Sequence, residues 1–234
     1  MNNLRNISVL LLLLVSNITY AQHDKIEHLS NFDKAPVRWG FYIGGNKLDY
    51  KISYKAPENF PNAYVESQAQ MGFNLGMIGD LRITDNINIR LEPGLMANSK
   101  TLYFKHIDSK VDSVRKASGT FLHVPLLVQF STNRLRNIRP YVVGGMAYDY
   151  NFASNFANPN DNSGGEFRMQ KHNFMYEIGI GMDFYFYYFK FSPSIRGLFA
   201  LNNEIKPDNN PNSQWTQPID YFGTRGFFIQ LNFQ

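Results

Sequence analysis

Apolar and polar residues alternate with a period of two, in runs of about ten residues, again and again along this chain. Successive side chains of a strand point to opposite faces, so each run is a two-faced strand. Phe174, Tyr176, Ile178, Ile180, Met182 and Phe184 fall on one side, opposite Met175, Glu177, Gly179, Gly181, Asp183 and Tyr185. After a break at Phe186-Tyr187 the phase reverses. Phe189, Phe191, Pro193 and Ile195 then oppose Lys190, Ser192, Ser194 and Arg196. The same alternation starts near Trp39, Met71, Ile87, Leu122, Val142 and Phe227. That gives roughly eight strands of about ten residues, the length a tilted membrane-spanning strand needs.

The connections alternate in length. Short ones lie at 83–86, 131–138 and 186–187, and long ones at 52–68, 100–118, 151–168 and 202–220. The expected fold class is all-β: an eight-stranded antiparallel up-and-down transmembrane β-barrel with short periplasmic turns and long outer loops. An even strand number puts both termini on the periplasmic side. A secreted sandwich also alternates, but its strands are shorter, about 5–6 residues. Its single core also could not cover so much Phe, Tyr, Ile, Leu, Val and Met.

Composition narrows the function. Of 234 residues, 15% are aromatic and 18% charged, with a net charge of +4 and no basic run, so no nucleic-acid partner is expected. The absence of cysteine excludes disulfides, thiolate metal sites and a cysteine nucleophile. The start, MNNLRNISVLLLLLVSNITYAQ, has Arg5, an apolar run from Ile7 to Val15 and a small-residue site at Ala21. It reads as a secretory signal peptide over 1–21; the apolar run is too short to span a bilayer. A polar segment, 22–36, reads as a short flexible periplasmic tail, and 37–234 as the barrel domain.

The polar face carries charge of both signs. Arg38, Arg82, Arg90, Lys190 and Arg196 alternate with Asp80, Glu92, Asp149, Glu177 and Asp183. Eight strands enclose an interior just wide enough for side chains, and charges buried there must pair. These ten residues are expected to form an internal ion-pair network that plugs the barrel. Inward glycines such as Gly179 and Gly181 would make room for the long arginines.

Dedicated chemistry is hard to find. No close histidine pair and no GxSxG elbow occurs. His123 is expected inside the barrel in a hydrogen-bonded structural role. His106 or His172 with Ser118 or Ser154 near the outer rim would be the residues of a lipid-modifying enzyme, but nothing in their spacing favours one. The Asn- and Asp-rich loops lack an EF-hand spacing, so neither metal nor other cofactor is expected. Arg134, Arg136 and Arg139 read as a flank that keeps a strand end out of lipid, or as a contact for a periplasmic partner. Loops on a rigid scaffold tend to carry function. The candidate partner-contact residues are therefore Asn158, Asp161, Glu166 and Arg168 in one outer loop and Asp208 and Trp215 in the other.

Three segments carry a family likeness: FLHVPLLVQF (121–130), NIRPYVVGGMAYDYNF (137–152) and GEFRMQKHNFMYEIGIGMDFYFYYFKFSPSIRG (165–197). They resemble the PorT family of outer-membrane barrels of Bacteroidota. The resemblance implies a component of the type IX secretion system, which exports cargo bearing a C-terminal sorting domain and, in gliding bacteria, the motility adhesins. It implies outer-membrane lipid and other components of that system as partners, and no catalytic residues. A general structural or adhesion barrel is the alternative, with a lipid-modifying enzyme after it.

Overall fold

The structure, a computed structural model, describes residues 27–55, 63–109, 111–117, 119–154, 167–209 and 213–234. Twelve strands are named: β1 (Val37–Tyr54), β2 (Val65–Ala69), β3 (Met71–Arg82), β4 (Ile87–Leu91), β5 (Gly94–Asn98), β6 (Lys100–Phe104), β7 (Val114–Lys116), β8 (Gly119–Ser131), β9 (Ile138–Asn151), β10 (His172–Tyr185), β11 (Lys190–Ala200) and β12 (Ile219–Phe233). Nine of them form one antiparallel sheet that closes on itself, because β1 pairs with both β12 and β3. Pro93 has no N–H and separates β4 from β5. The register runs through the gap unshifted, since Leu91 lies opposite Gly79 and Gly94 opposite Gly76. The two are one stave, and the barrel has eight.

Each stave buries one parity and exposes the other. Along β10 Ile178 and Ile180 are 63% and 64% exposed, whereas Met175 and Asp183 are each 1%. So much exposed apolar surface marks contact with something other than water. From Phe174 to Phe184 there are ten rises of ~3.3 Å each; tilted by ~40°, the run spans about 25 Å, the height of an outer-membrane apolar band. Aromatic rings gather at both edges of that band. Phe41, Phe191 and Phe233 meet at 5.2 Å between centroids near the short turns. Tyr148 and Phe174 meet at 5.7 Å near the long connections. An apolar notch of about 340 Å³ beside Gly79, lined by Trp39, Met77 and Leu91, opens on the outer wall within this band.

Two sequence expectations need correction. The long connections 52–68 and 100–118 are partly strand. β2, β6 and β7 form a separate three-stranded sheet that continues the β3 and β5 staves beyond the band. Its inner face carries Leu102 and Phe104, both fully buried. Secondly, residues 27–36 are not a loose tail. They fold across the short-turn end of the barrel, with a single 3₁₀ turn at Phe32–Lys34. Residues 1–26, with the expected signal peptide, lie outside the described residues.

Candidate functional site: a filled bore with two closed mouths

The inward parity places charge on neighbouring staves at matching heights, and a chain of ion pairs follows. Arg38 Nη2 is 2.9 Å from Asp80, whose other oxygen is 4.0 Å from Arg90 Nε. Arg90 Nη2 is 3.1 Å from Glu92. Arg196 grips Glu92 through both Nη atoms, at 2.7 and 3.1 Å, and reaches Glu177 at 3.6 Å. Glu177 is 2.8 Å from His123 Nε2, and Asp149 is 2.5 Å from His123 Nδ1. Lys190 pairs with Asp183 at 3.7 Å, and Ser192 donates to the same carboxylate at 2.5 Å.

Nine of the ten charged residues read from sequence line this bore, and all nine are buried. Arg82 is the exception. It ends β3 at the rim, where it donates to Asp85 of the adjoining turn. His123 thus lies between two carboxylates, hydrogen-bonded to Asp149 through Nδ1 and within ion-pair distance of Glu177. Arg38, Arg90, Lys190 and Arg196 face Asp80, Glu92, Asp149, Glu177 and Asp183, so charge of both signs is interleaved along the bore. Between the charges the bore is packed with Leu48, Met96, Phe121, Met175, Leu198 and Phe228. Gly179 provides space for this packing, since a Cβ there would sit 2.6 Å from Arg196 Cγ.

The long-loop mouth is closed by an apolar cap. Tyr50, Val65, Leu102, Phe104, Phe167, Met169, Ile205 and Phe222 form one buried cluster across it. Beneath the cap, Glu204 accepts from the Thr224 backbone N–H at 2.9 Å and from its hydroxyl at 2.8 Å. That hydroxyl also accepts from Lys100 Nζ at 3.3 Å, and the ammonium lies 3.8 Å from the centre of the Tyr50 ring. Burial raises the pKa of Glu204 above the usual carboxylate value, despite the opposing pull of Lys100. Burial lowers Lys100 to about 8.

The short-turn mouth is closed by charge. Asp33 accepts from the Tyr185 hydroxyl at 2.9 Å and lies 3.4 Å from Arg38, 3.6 Å from Arg134 and 3.7 Å from Arg139. Phe32 spreads over Arg38 and Lys190, with centroid distances of 5.7 and 5.3 Å. His28 bonds Asn137 and the Tyr185 carbonyl, and its ring lies 3.9 Å from that of Tyr187.

The loop candidates fare differently from their sequence reading. Asn158, Asp161, Glu166 and Ser118 lie outside the described residues. Arg168 and Asp208 are buried and 4.0 Å apart, and the Trp215 ring lies under Arg115 at 4.7 Å while its Nε1 donates to the Asp112 carbonyl. These three side chains take part in the packing of the cap. At the rim, His172 Nδ1 meets the Tyr148 hydroxyl at 2.6 Å, and His106 Nε2 meets the Gln214 carbonyl at 2.9 Å. No cluster of three metal-ligating side chains occurs among the described residues, and none of their helices is long and apolar enough to cross a membrane.

Sequence reasoning missed Asp33, Lys100 and Glu204. Asp33 sits in a segment with no periodicity, so no signal marked it. Lys100 opens KTLYF, a five-residue alternation too short to stand out.

A family model described as "Outer membrane protein beta-barrel domain" matches residues 20–206. No curated protein matches. Solved structures with similar folds include the outer-membrane protein OprG of Pseudomonas aeruginosa, at 15% identity and TM-score 0.48 over 84% of this chain and 92% of that one. Neisserial surface protein A is 7% identical, with TM-score 0.45, over 85% and 98%. AlkL, solved in lipid bilayers, is 14% identical, with TM-score 0.44, over 84% and 89%. Likeness at that level transfers neither ligand nor activity.

Proposed function

The chain belongs to the outer membrane protein β-barrel domain family, and from that premise we propose that it is a sealed, non-enzymatic component of the type IX secretion apparatus, acting through its surfaces. The observation that carries the surface-acting part is the bore. It is filled by paired buried charges and closed at both ends, so cargo cannot pass through it. The secretion part rests on the resemblance of residues 121–130, 137–152 and 165–197 to the PorT family. In this reading residues 1–21 are removed on export. Both termini and the short turns face the periplasm, and the apolar cap faces outward.

A deletion strain tests it. Cargo bearing the C-terminal sorting domain should be lost from the secretome and return with the full chain. Normal secretion in the deletion strain would refute the secretion role. A structural or adhesion barrel is favoured only by the sheet of β2, β6 and β7 raised beyond the membrane band. It would leave secretion intact while changing surface binding. Steady single-channel currents from the purified chain in planar bilayers would contradict the sealed bore in either case.

A further inference from the structure

The segment that closes the short-turn mouth is held by polar contacts and not by burial: Arg134 donates to the His28 and Leu29 carbonyls, the Arg82 N–H to the Pro36 carbonyl, and Tyr185 to Asp33. Among residues 27–36 none is buried, and Phe32 is only half-buried. Segments with few buried contacts open at low free-energy cost. Two of the cations beneath are fixed by the barrel itself. Arg139 donates through Nε to the Thr132 carbonyl at 2.9 Å and through Nη2 to that of Asp85. Arg38 is held by Asp80. Arg134 lies on the Tyr185 ring at 3.7 Å and donates also to the His28 and Leu29 carbonyls of the segment. Arg38 and Arg139 therefore keep their places without Asp33.

Its fit to Asp33 is loose. The three guanidinium distances, 3.4 to 3.7 Å, exceed the ~2.7–2.9 Å of a well-made charge-assisted bond. Asp33 makes its short bond to the Tyr185 hydroxyl, at 2.9 Å. Charge shows the same mismatch. Arg38, Arg134, Arg139 and Lys190 face Asp33, Asp80 and Asp183; with Asp33 withdrawn, four cations face two carboxylates.

We propose that this mouth is a docking site for an acidic peptide segment of a partner protein, and that Asp33 is a tethered occupant that leaves when such a segment arrives. The docked segment shows the chemistry required: a carboxylate for the arginine cradle, next to an aromatic ring that covers Arg38 and Lys190. The Arg38 side chain lies inside the bore, 3% exposed, away from the lipid-facing wall, so an extended chain is favoured over a lipid headgroup. The proposal deepens the surface-acting reading above and rests on it.

The chain has no cysteine, so two can be introduced cleanly. Ser30→Cys on the segment and Tyr188→Cys on the β10–β11 turn, 94% exposed, carry spin labels. The full chain is placed in nanodiscs of zwitterionic phospholipid. The probe is the peptide EHLSNFDKAP, the chain's own residues 27–36. Added in excess, it should turn a narrow interlabel distance distribution into a broad one. The same peptide with Asp33→Asn should need at least about tenfold higher concentration. In the full chain, Asp33→Asn should let the unaltered peptide act at about tenfold lower concentration.

No displacement at saturating peptide, in a barrel that still runs as a folded species on cold electrophoresis, overturns the proposal. Equal action of the two peptides overturns it as well, since the carboxylate would then not matter. So does opening by anionic lipid in the nanodisc without peptide, which would assign the cradle to a headgroup. Because all of this is read on purified protein, failure here is distinguishable from failure of the secretion reading.

Discussion

Replacing Arg196 with Met tests whether the bore is held by charge pairing or merely filled. The side chain is 1% exposed. It makes two bonds to Glu92 and a third contact to Glu177. Methionine fills much of the volume but neutralises nothing. Glu92 would keep Arg90 at 3.1 Å and the Gln230 amide at 2.9 Å, while Glu177 would keep only the shared His123. Removing one partner of a buried pair costs about 3–5 kcal/mol, because the other charge stays buried and uncompensated. Adding Glu92→Gln removes that charge while keeping an amide for Arg90. The double variant should therefore recover about 2 kcal/mol relative to the sum of the two single changes. The assay is equilibrium urea unfolding in phospholipid vesicles. It is followed by the fluorescence of the chain's two tryptophans, Trp39 on the wall and Trp215 at the cap. A loss under 1 kcal/mol for Arg196→Met, or strict additivity in the double variant, would show that the bore tolerates unpaired charge and would refute the pairing argument.

Three further outcomes follow from other parts of the molecule. Lys100 is depressed to about 8 against an ordinary 10.5, so between those values the unfolded chain binds the extra proton. Stability should then rise with pH across that window, by a few kcal/mol at most, and Lys100→Met should remove the rise when unfolding is compared at pH 7.5 and 10.5. Phe222→Ala in the fully buried cap should cost about 3–5 kcal/mol and speed protease cleavage of the long connections, readable on gels. Ile178→Arg, in the middle of the lipid-facing band, should cost about 2–4 kcal/mol in vesicle unfolding, whereas the inward neighbour Gly179 offers no comparable lipid contact.

The barrel was legible in sequence because lipid imposes one rule on every stave. One parity must be apolar throughout, so Phe174 to Phe184 or Met71 to Leu81 announce both the strand and its facing. Inward residues were legible as the complement, and Glu92, Arg196 and Glu177 could be grouped on a face before any distance was known. Which of them touch was not, since that depends on the stagger between staves. The long-loop cap was hidden for a different reason. Beyond the membrane, strands such as β6 and β7 answer to a local apolar cluster, and their runs are too short to stand out from loop. Trp215 and Arg168 looked like exposed loop residues because polarity alone cannot show that a cation is buried under a lid. Asp33 was least visible, since its role comes from three arginines spread across β1, the β8–β9 turn and β9.

The two mouths are closed by different forces, and that difference bears on where partners meet the barrel. The long-loop cap is apolar. Leu102, Phe104 and Phe222 are fully buried, and such packing strengthens in salting-out conditions. The short-turn closure buries none of its own residues and is held by hydrogen bonds to His28, Leu29 and Asp33 and by ion pairs of 3.4 to 3.7 Å. Opening the cap would expose apolar area, whereas opening the short-turn end exchanges polar contacts that a docked carboxylate could replace. The proposed docking fits this arrangement, in which a segment at one mouth could be exchanged while the bore stays filled. The proposed docking accordingly directs the search for contacts to Arg134 and Arg139 and the segment they hold, as well as to the long connections, where Arg168, Asp208 and Trp215 pack into the cap.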